Sequence, residues 1–164
     1  MTEKKGRPIQ FMFGPRPRKY FKELEKLSDT GKFKILLQKY WLCAQIGLAF
    51  NKRKQREEGD KWVSDNIAPP LKENANLLRG MVFFREAQAK GYNPEDEMDM
   101  LAGMKNFFTD ERLHKLNDNG LDVMDKYASK GFEIIQERIP NPVDLASFLV
   151  DYVDLLLEAD KLSA

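Results

Sequence analysis

Two residues on which much protein chemistry depends are nearly missing: 164 residues include one cysteine, Cys43, and one histidine, His114. A lone cysteine excludes an internal disulfide and fits a reducing compartment. One cysteine and one histidine cannot supply the nitrogen and sulfur ligands of a zinc centre. Cys43 stands among Leu42, Ala44 and Ile46 and reads as a small core residue, not a nucleophile. His114, within "DERLHKL", is surrounded by charge and reads as a surface side chain rather than a general base. No uncharged run reaches the roughly 18 residues that a membrane-spanning helix needs. The stretch "PIQFMFGP" after Lys4, Lys5 and Arg7 is too short and too interrupted for a secretory signal. There is no Gly-x-Ser-x-Gly nucleophile elbow, no Walker phosphate loop and no dinucleotide fingerprint. There is also no fixed repeat period and no convincing period-two alternation. The expectation is a cytoplasmic protein without membrane contact that is not an enzyme.

Apolar residues make up 42% of the chain, enough for a sizeable core, and the charged share of 32% is high for a soluble protein. The net charge of +1 conceals a division. Residues 1–61 hold 16 Lys and Arg against 7 Asp and Glu, whereas residues 62–164 hold 11 against 19. Such asymmetry suits either a basic face that meets an acidic partner or a basic half packed on its own acidic half.

Residues 1–19 read as an extended basic arm, because Gly and Pro in "GRPIQFMFGPRPRKY" interrupt any helix. Phe11, Met12 and Phe13 are unusually apolar for a tail, so the arm is expected to dock through them on its own core or on a neighbour. Residues 20–164 are the helical domain. It opens with a short helix in "YFKELEKLS", with Phe21, Leu24 and Leu27 on one side. From Lys32 to about Lys52 two apolar stripes adjoin: Leu36, Tyr40, Cys43, Gly47 and Phe50, then Leu37, Trp41, Ala44 and Leu48. Only a narrow polar strip is left, which predicts a helix buried nearly all round at the centre of the fold.

A helix follows Pro69 and Pro70 and ends at Gly91, with Leu77, Leu78, Met81, Val82, Phe84 and Ala89 facing inward. Asn93-Pro94 and Asn141-Pro142 each read as N-cap and first position of a later helix. The first of these would turn inward Met98, Leu101 and Met104 or Lys105, the second Leu145, Phe148, Leu149, Tyr152 and Leu156. Between them a helix carries Leu121, Met124, Ala128, Ile135 and Ile139, with Gly131 on the same stripe. That glycine either admits a neighbouring backbone or marks a break. The fold class is all-α: a single-domain bundle of about five or six helices around a buried central helix.

Glu95, Asp96, Glu97 and Asp99, with Asp110 and Glu111 beyond, are numerous enough for an oxygen-ligand site. They lack the spacing of a calcium loop, and acids in a first helical turn already complement the helix dipole. No metal and no cofactor is expected. "NKRKQREEGDKW" concentrates Lys52, Arg53, Lys54 and Arg56 just past the central helix. Cations there suit the negative end of that helix, with Gly59 as the stop. They equally suit a phosphate backbone or an acidic protein. With Arg16, Arg18 and Lys19 of the arm they are the candidate contacts to nucleic acid or a partner, since Lys and Arg displace counterions from phosphate.

Three stretches, "YWLCAQIGLAFNKRK", "LLRGMVFFREAQAKG" and "VMDKYASKGFEII", resemble small helical accessory proteins encoded beside DNA phosphorothioation (Dnd-type) operons or related prokaryotic defence loci. Those proteins pair an Ala-rich helix ending in Gly-Phe-x-x-x-basic with a later Glu-Tyr-Ala-x-x-Gly-hydrophobic element. Ala44, Gly47, Phe50, Lys52 and Arg53 correspond to the first element; Tyr127, Ala128 and Gly131 correspond to the second. The basic arm and "KWVSDNIAPP" depart from the pattern. The resemblance implies a setting, DNA modification or anti-phage defence, rather than an activity. The expectation is a non-enzymatic accessory or adaptor subunit with a larger protein partner or a second copy of itself. The alternatives are direct nucleic-acid binding by the basic half, and a metal-dependent enzyme using the acids at 95–99.

Overall fold

The computed structural model describes residues 10–29, 31–55, 61–64, 72–109 and 112–163. Along them run β1 (Gln10–Phe13), α1 (Pro15–Lys26), α2 (Leu36–Ala49), β2 (Lys61–Ser64) and α3 (Lys72–Ala89). Then follow α4 (Glu97–Phe107), β3 (Phe108–Thr109), β4 (Arg112–Leu116), α5 (Asp118–Arg138) and α6 (Leu145–Ser163). The fold is the all-α helical bundle that the periodicities predict, with two short antiparallel strand pairs added, β1 with β2 and β3 with β4. No helix among the described residues is long and apolar enough to cross a membrane.

α1 begins at Pro15, inside the segment that reads as an extended arm. Pro15 and Pro17 do not break it: first-turn N–H groups have no intrahelical acceptor, and proline's fixed φ is already helical. Among the described residues of that segment the strand is β1, where Phe11 lies opposite Val63 and Phe13 opposite Lys61. Phe11 and Phe13 are buried and Met12 is half-buried. This period-two pattern is too brief to stand out in the sequence. The Phe11 ring stacks on Tyr40 at 4.6 Å, and Phe13 meets the same ring edge-on at 5.9 Å. Phe11 and Phe13 therefore dock on the chain's own core.

Both Asn-Pro pairs precede their helices by about a turn, and the cap is the aspartate two residues past each proline. Asp96 Oδ1 accepts from the N–H groups of Met98 and Asp99 at 2.9 and 3.2 Å. Asp144 Oδ1 accepts from the Ser147 N–H at 2.7 Å while Ser147 Oγ accepts from the Asp144 N–H at 3.2 Å, a reciprocal box. The residue before a proline is pushed to extended backbone, which keeps Asn93 and Asn141 outside the helix.

α2 is the central helix, with Leu37, Tyr40, Trp41, Cys43, Ala44, Ile46 and Leu48 buried against α3, α5 and α6. Its stop is Asn51; Gly59 lies outside the described residues. Asn51 takes φ +50°, its N–H donates to the Leu48 carbonyl at 3.1 Å, and the Lys52 N–H donates to the Gly47 carbonyl at 2.9 Å. These two bonds are a Schellman closure. Gly91 closes α3 in the same way at φ +72°.

α2 and α5 cross with their backbones nearly touching. A Cβ on Gly47 would lie 2.0 Å from the Tyr127 carbonyl oxygen, and one on Gly131 would lie 1.7 Å from that of Cys43. Gly131 thus admits a backbone, and α5 runs through it unbroken.

Three helices turn other faces inward than their stripes suggest. In α3, Leu78, Val82, Glu86 and Ala87 are buried, while Leu77, Phe84 and Ala89 are exposed, because the bundle covers this helix along one side. α4 approaches through Gly103, where a Cβ would meet the Phe83 and Tyr92 rings at 3.1 Å. Gly103 and Phe107 consequently face in, and Met98 and Leu101 face out. In α6 the Tyr152 hydroxyl donates to the Leu42 carbonyl at 2.9 Å, fixing the helix so that Phe148, Tyr152, Leu155 and Ala159 are buried and Leu149 is not.

Candidate nucleic-acid interface

The cationic run leaves α2 held along the flank of α5. The Lys54 N–H donates to the Lys126 carbonyl at 3.0 Å, and Lys54 Nζ pairs with Glu133, two turns further along α5, at 3.3 Å. Arg53 reaches across to α3, where Nη1 donates to Glu86 Oε1 at 2.7 Å. Lys52 is exposed, its N–H spent on closing α2. Arg56 lies outside the described residues. Two cations of the basic half are thus paired with carboxylates of the acidic half.

The basic residues of α1 arrive at the same flank. Arg16 donates through Nη2 to Gln136 Oε1 on α5 and lies over the Phe132 ring at 5.9 Å. Lys19 is exposed one turn on, whereas Arg18 turns back and donates through Nε to the Gly14 carbonyl at 3.1 Å.

Three concavities adjoin here. One, beside α1 and the α5–α6 turn, is lined by Arg16, Lys19, Tyr20, Gln136 and Asn141. A second, between the start of α1 and α5, is lined by Met12, Arg16, Lys54, Gln55 and Ser129. The third, a cleft of about 480 Å³, is walled by Arg53, Lys54, Lys90, Asn119 and Lys126, with Glu86 among them. Arg16 belongs to the first two, and Lys54 and Gln55 belong to the last two, so all three form one band from Lys19 to Lys90. Its cations are Lys19, Arg16, Lys54, Arg53, Lys126 and Lys90; its acids are Glu23, Glu133 and Glu86. The fold therefore gathers Arg16, Lys19, Arg53 and Lys54, leaves Arg18 and Lys52 off the lining, and adds Lys90 and Lys126.

The band has a rigid floor. Glu86 is 3% exposed, and its Oε1 also accepts from the Tyr127 hydroxyl at 3.1 Å. Burial, and then the neighbouring Glu86 charge, push that hydroxyl up to about 12, so it remains a donor throughout the physiological range. The Arg53 side chain is half-exposed. One of its nitrogens neutralises Glu86, and the rest of its fork is left for the cleft it lines. A second buried carboxylate, Asp125, accepts from the Tyr40 hydroxyl at 2.7 Å and from the Met12 N–H at 3.1 Å, tying β1 to α5.

Neither carboxylate stands out in a search for catalytic motifs, yet each leaves a trace. Glu86 continues the Leu78, Val82 stripe, and Asp125 falls four residues after Leu121, so an acid occupies a place where the helical period calls for an apolar residue. Lys90 and Lys126 carry no comparable signal.

Cys43 is fully buried, and burial pushes its thiol well above the ordinary range, in keeping with a core role. His114 lies in β4, its side chain outside the described residues. Of the acids near 95–99, Asp96 caps α4 and Asp99 accepts from the Asn93 N–H at 3.1 Å; Asp110 and Glu111 lie outside the described residues. Among the described residues no three His, Cys, Asp or Glu side chains gather as a metal site. Comparison with protein-family models, with curated proteins and with solved structures found no match.

Proposed function

We propose that the chain is an accessory subunit of a DNA-handling assembly, and that its part is to hold a nucleic-acid phosphate backbone along the band from Lys19 to Lys90. The observation that carries this reading is convergence. Arg16 and Lys19 of α1 and Arg53 and Lys54 beyond α2 are remote in sequence, yet they line one continuous surface with Lys90 and Lys126. A row of cations displaces condensed counterions from phosphate and binds without regard to base sequence. The anchored backbone of the run supports the same reading, because side chains on a fixed track lose less freedom on binding than those of a free tail.

The setting, a DNA-modification or defence locus, rests on the resemblance alone. Gly47, Tyr127 and Gly131 of that resemblance sit at the α2–α5 crossing, and of its residues Arg53 also lines the band.

Fluorescence anisotropy with labelled duplex and single-stranded DNA over a salt series tests the proposal. Phosphate contacts make log affinity fall linearly with log salt, with a slope of about −0.9 per contact on duplex and about −0.7 on single strands. Affinity that ignores salt, or no binding at low salt, rejects it.

A further inference from the structure

The two glutamines of α2 take no part in the basic band. Gln38 and Gln45 stand about two turns apart on one face of an otherwise largely apolar helix, with Trp41 between them. This face and Leu77, Leu78 and Met81 of α3 wall a cleft of about 370 Å³. That volume lies at the small end of the range for ligand pockets, roughly 300–1,000 Å³. Every residue of the lining is uncharged.

The polar groups of the cleft decide what fits it. Trp41 is 9% exposed, and its indole N–H has no acceptor among the described residues. A buried indole N–H ordinarily has one. The Gln38 amide has a fixed orientation, because its Oε1 accepts from the Lys34 and Ile35 N–H groups at 2.8 and 3.3 Å. Its nitrogen is the end left over, and it too meets no acceptor among the described residues. Gln45 spends one end of its amide on the Tyr152 hydroxyl at 3.0 Å. We propose that the α2–α3 cleft binds a small, uncharged, largely apolar molecule carrying carbonyl oxygen, to which Trp41 Nε1 and Gln38 Nε2 donate. The apolar walls hold its body. A hydrocarbon without an acceptor would leave both donors buried and unpaired, and an ionised ligand would find no countercharge in the lining. None of these residues lines the basic band, so this site and phosphate binding stand or fall separately.

The test titrates the full chain with two flat, uncharged dyes whose emission rises in apolar surroundings. Nile red carries a ring carbonyl; 1-aminoanthracene carries none. Nile red binds one site with micromolar affinity, about ten-fold or more tighter than 1-aminoanthracene. Trp41→Phe keeps an aromatic wall but removes the N–H, and weakens Nile red about five-fold or more while leaving 1-aminoanthracene within about two-fold. Leu77→Asp, at a residue 63% exposed, weakens both dyes without moving the thermal midpoint, and is the second variant should Trp41→Phe disturb packing. Val150→Asp, on the exposed surface of α6, changes neither. Equal affinity for the two dyes, or binding that ignores both the Trp41 and the Leu77 substitution, overturns the proposal. So does loss of Nile red with Val150→Asp, which would place the dye on α6. A parent chain that sediments as a dimer and becomes monomeric with Leu77→Asp also overturns it, because the occupant is then a second copy.

Discussion

A Cβ placed on Gly131 of α5 would stand 2.7 Å from the backbone nitrogen of Gly47 on α2. The two glycines let the most buried helices of the bundle meet backbone to backbone, and backbone on either side cannot swing aside as a side chain would. Gly131→Ala is therefore expected to cost more than the about 1–3 kcal/mol typical of overpacking. Gly80, on α3 with open space around it, is the control: Gly80→Ala gains about 0.5–1 kcal/mol from helix propensity. Urea denaturation of the two variants should move the midpoint in opposite directions.

Arg53 and Glu86 provide a second prediction. Removing the cation from a buried carboxylate costs about 3–5 kcal/mol when both partners are enclosed, and less here because Arg53 is half-exposed. Arg53→Ala should thus destabilise by about 1–2 kcal/mol. Adding Glu86→Gln should recover part of that loss, since no uncompensated charge then remains. Urea denaturation of the two single variants and the double variant reads this directly; a double variant less stable than the sum of the singles would contradict the pairing.

Alkaline pH is the third. Tyr127 rises from 10.0 to about 12 in the folded chain, so folding favours its neutral form. Stability from this group is complete below about pH 10 and is lost as pH climbs through about 12. Burial shifts Tyr20 and Tyr152 in the same direction. The thermal midpoint should therefore fall along that alkaline limb, together with tyrosinate absorbance, and Tyr127→Phe should make the fall shallower.

Helix caps give the fourth. Asp96→Ala and Asp144→Ala should each cost about 1 kcal/mol, whereas Asn141→Ala should stay within about 0.5 kcal/mol. Denaturation midpoints of the three variants distinguish the aspartate caps from the asparagines that the Asn-Pro pairs suggest.

The bundle and its central helix are legible in the sequence because the stripes of α2 and α5 cover so much of each helix that few other burials satisfy them. The faces of α3, α4 and α6 are less so. Their rotation is set by single contacts, Gly103 against two rings and the Tyr152 hydroxyl on the Leu42 carbonyl, which no local pattern reports. The arm misleads because prolines at 15 and 17 are compatible with a first helical turn as well as with an extended tail. Four of the band's six cations, Arg16, Lys19, Arg53 and Lys54, could be named from clustered Lys and Arg. Lys90 and Lys126 could not, being isolated cations that join it only once α3 and α5 flank the run.

Whether that band grips phosphate is tested most directly by the salt slope on duplex DNA of the parent and of Arg16→Ala/Lys19→Ala/Lys54→Ala. Three lost contacts should flatten the slope by about 2.7, with the thermal midpoint of the variant close to that of the parent. Identical slopes for the two proteins would mean that the convergence of α1 and the α2 exit on α5 serves packing and no nucleic acid.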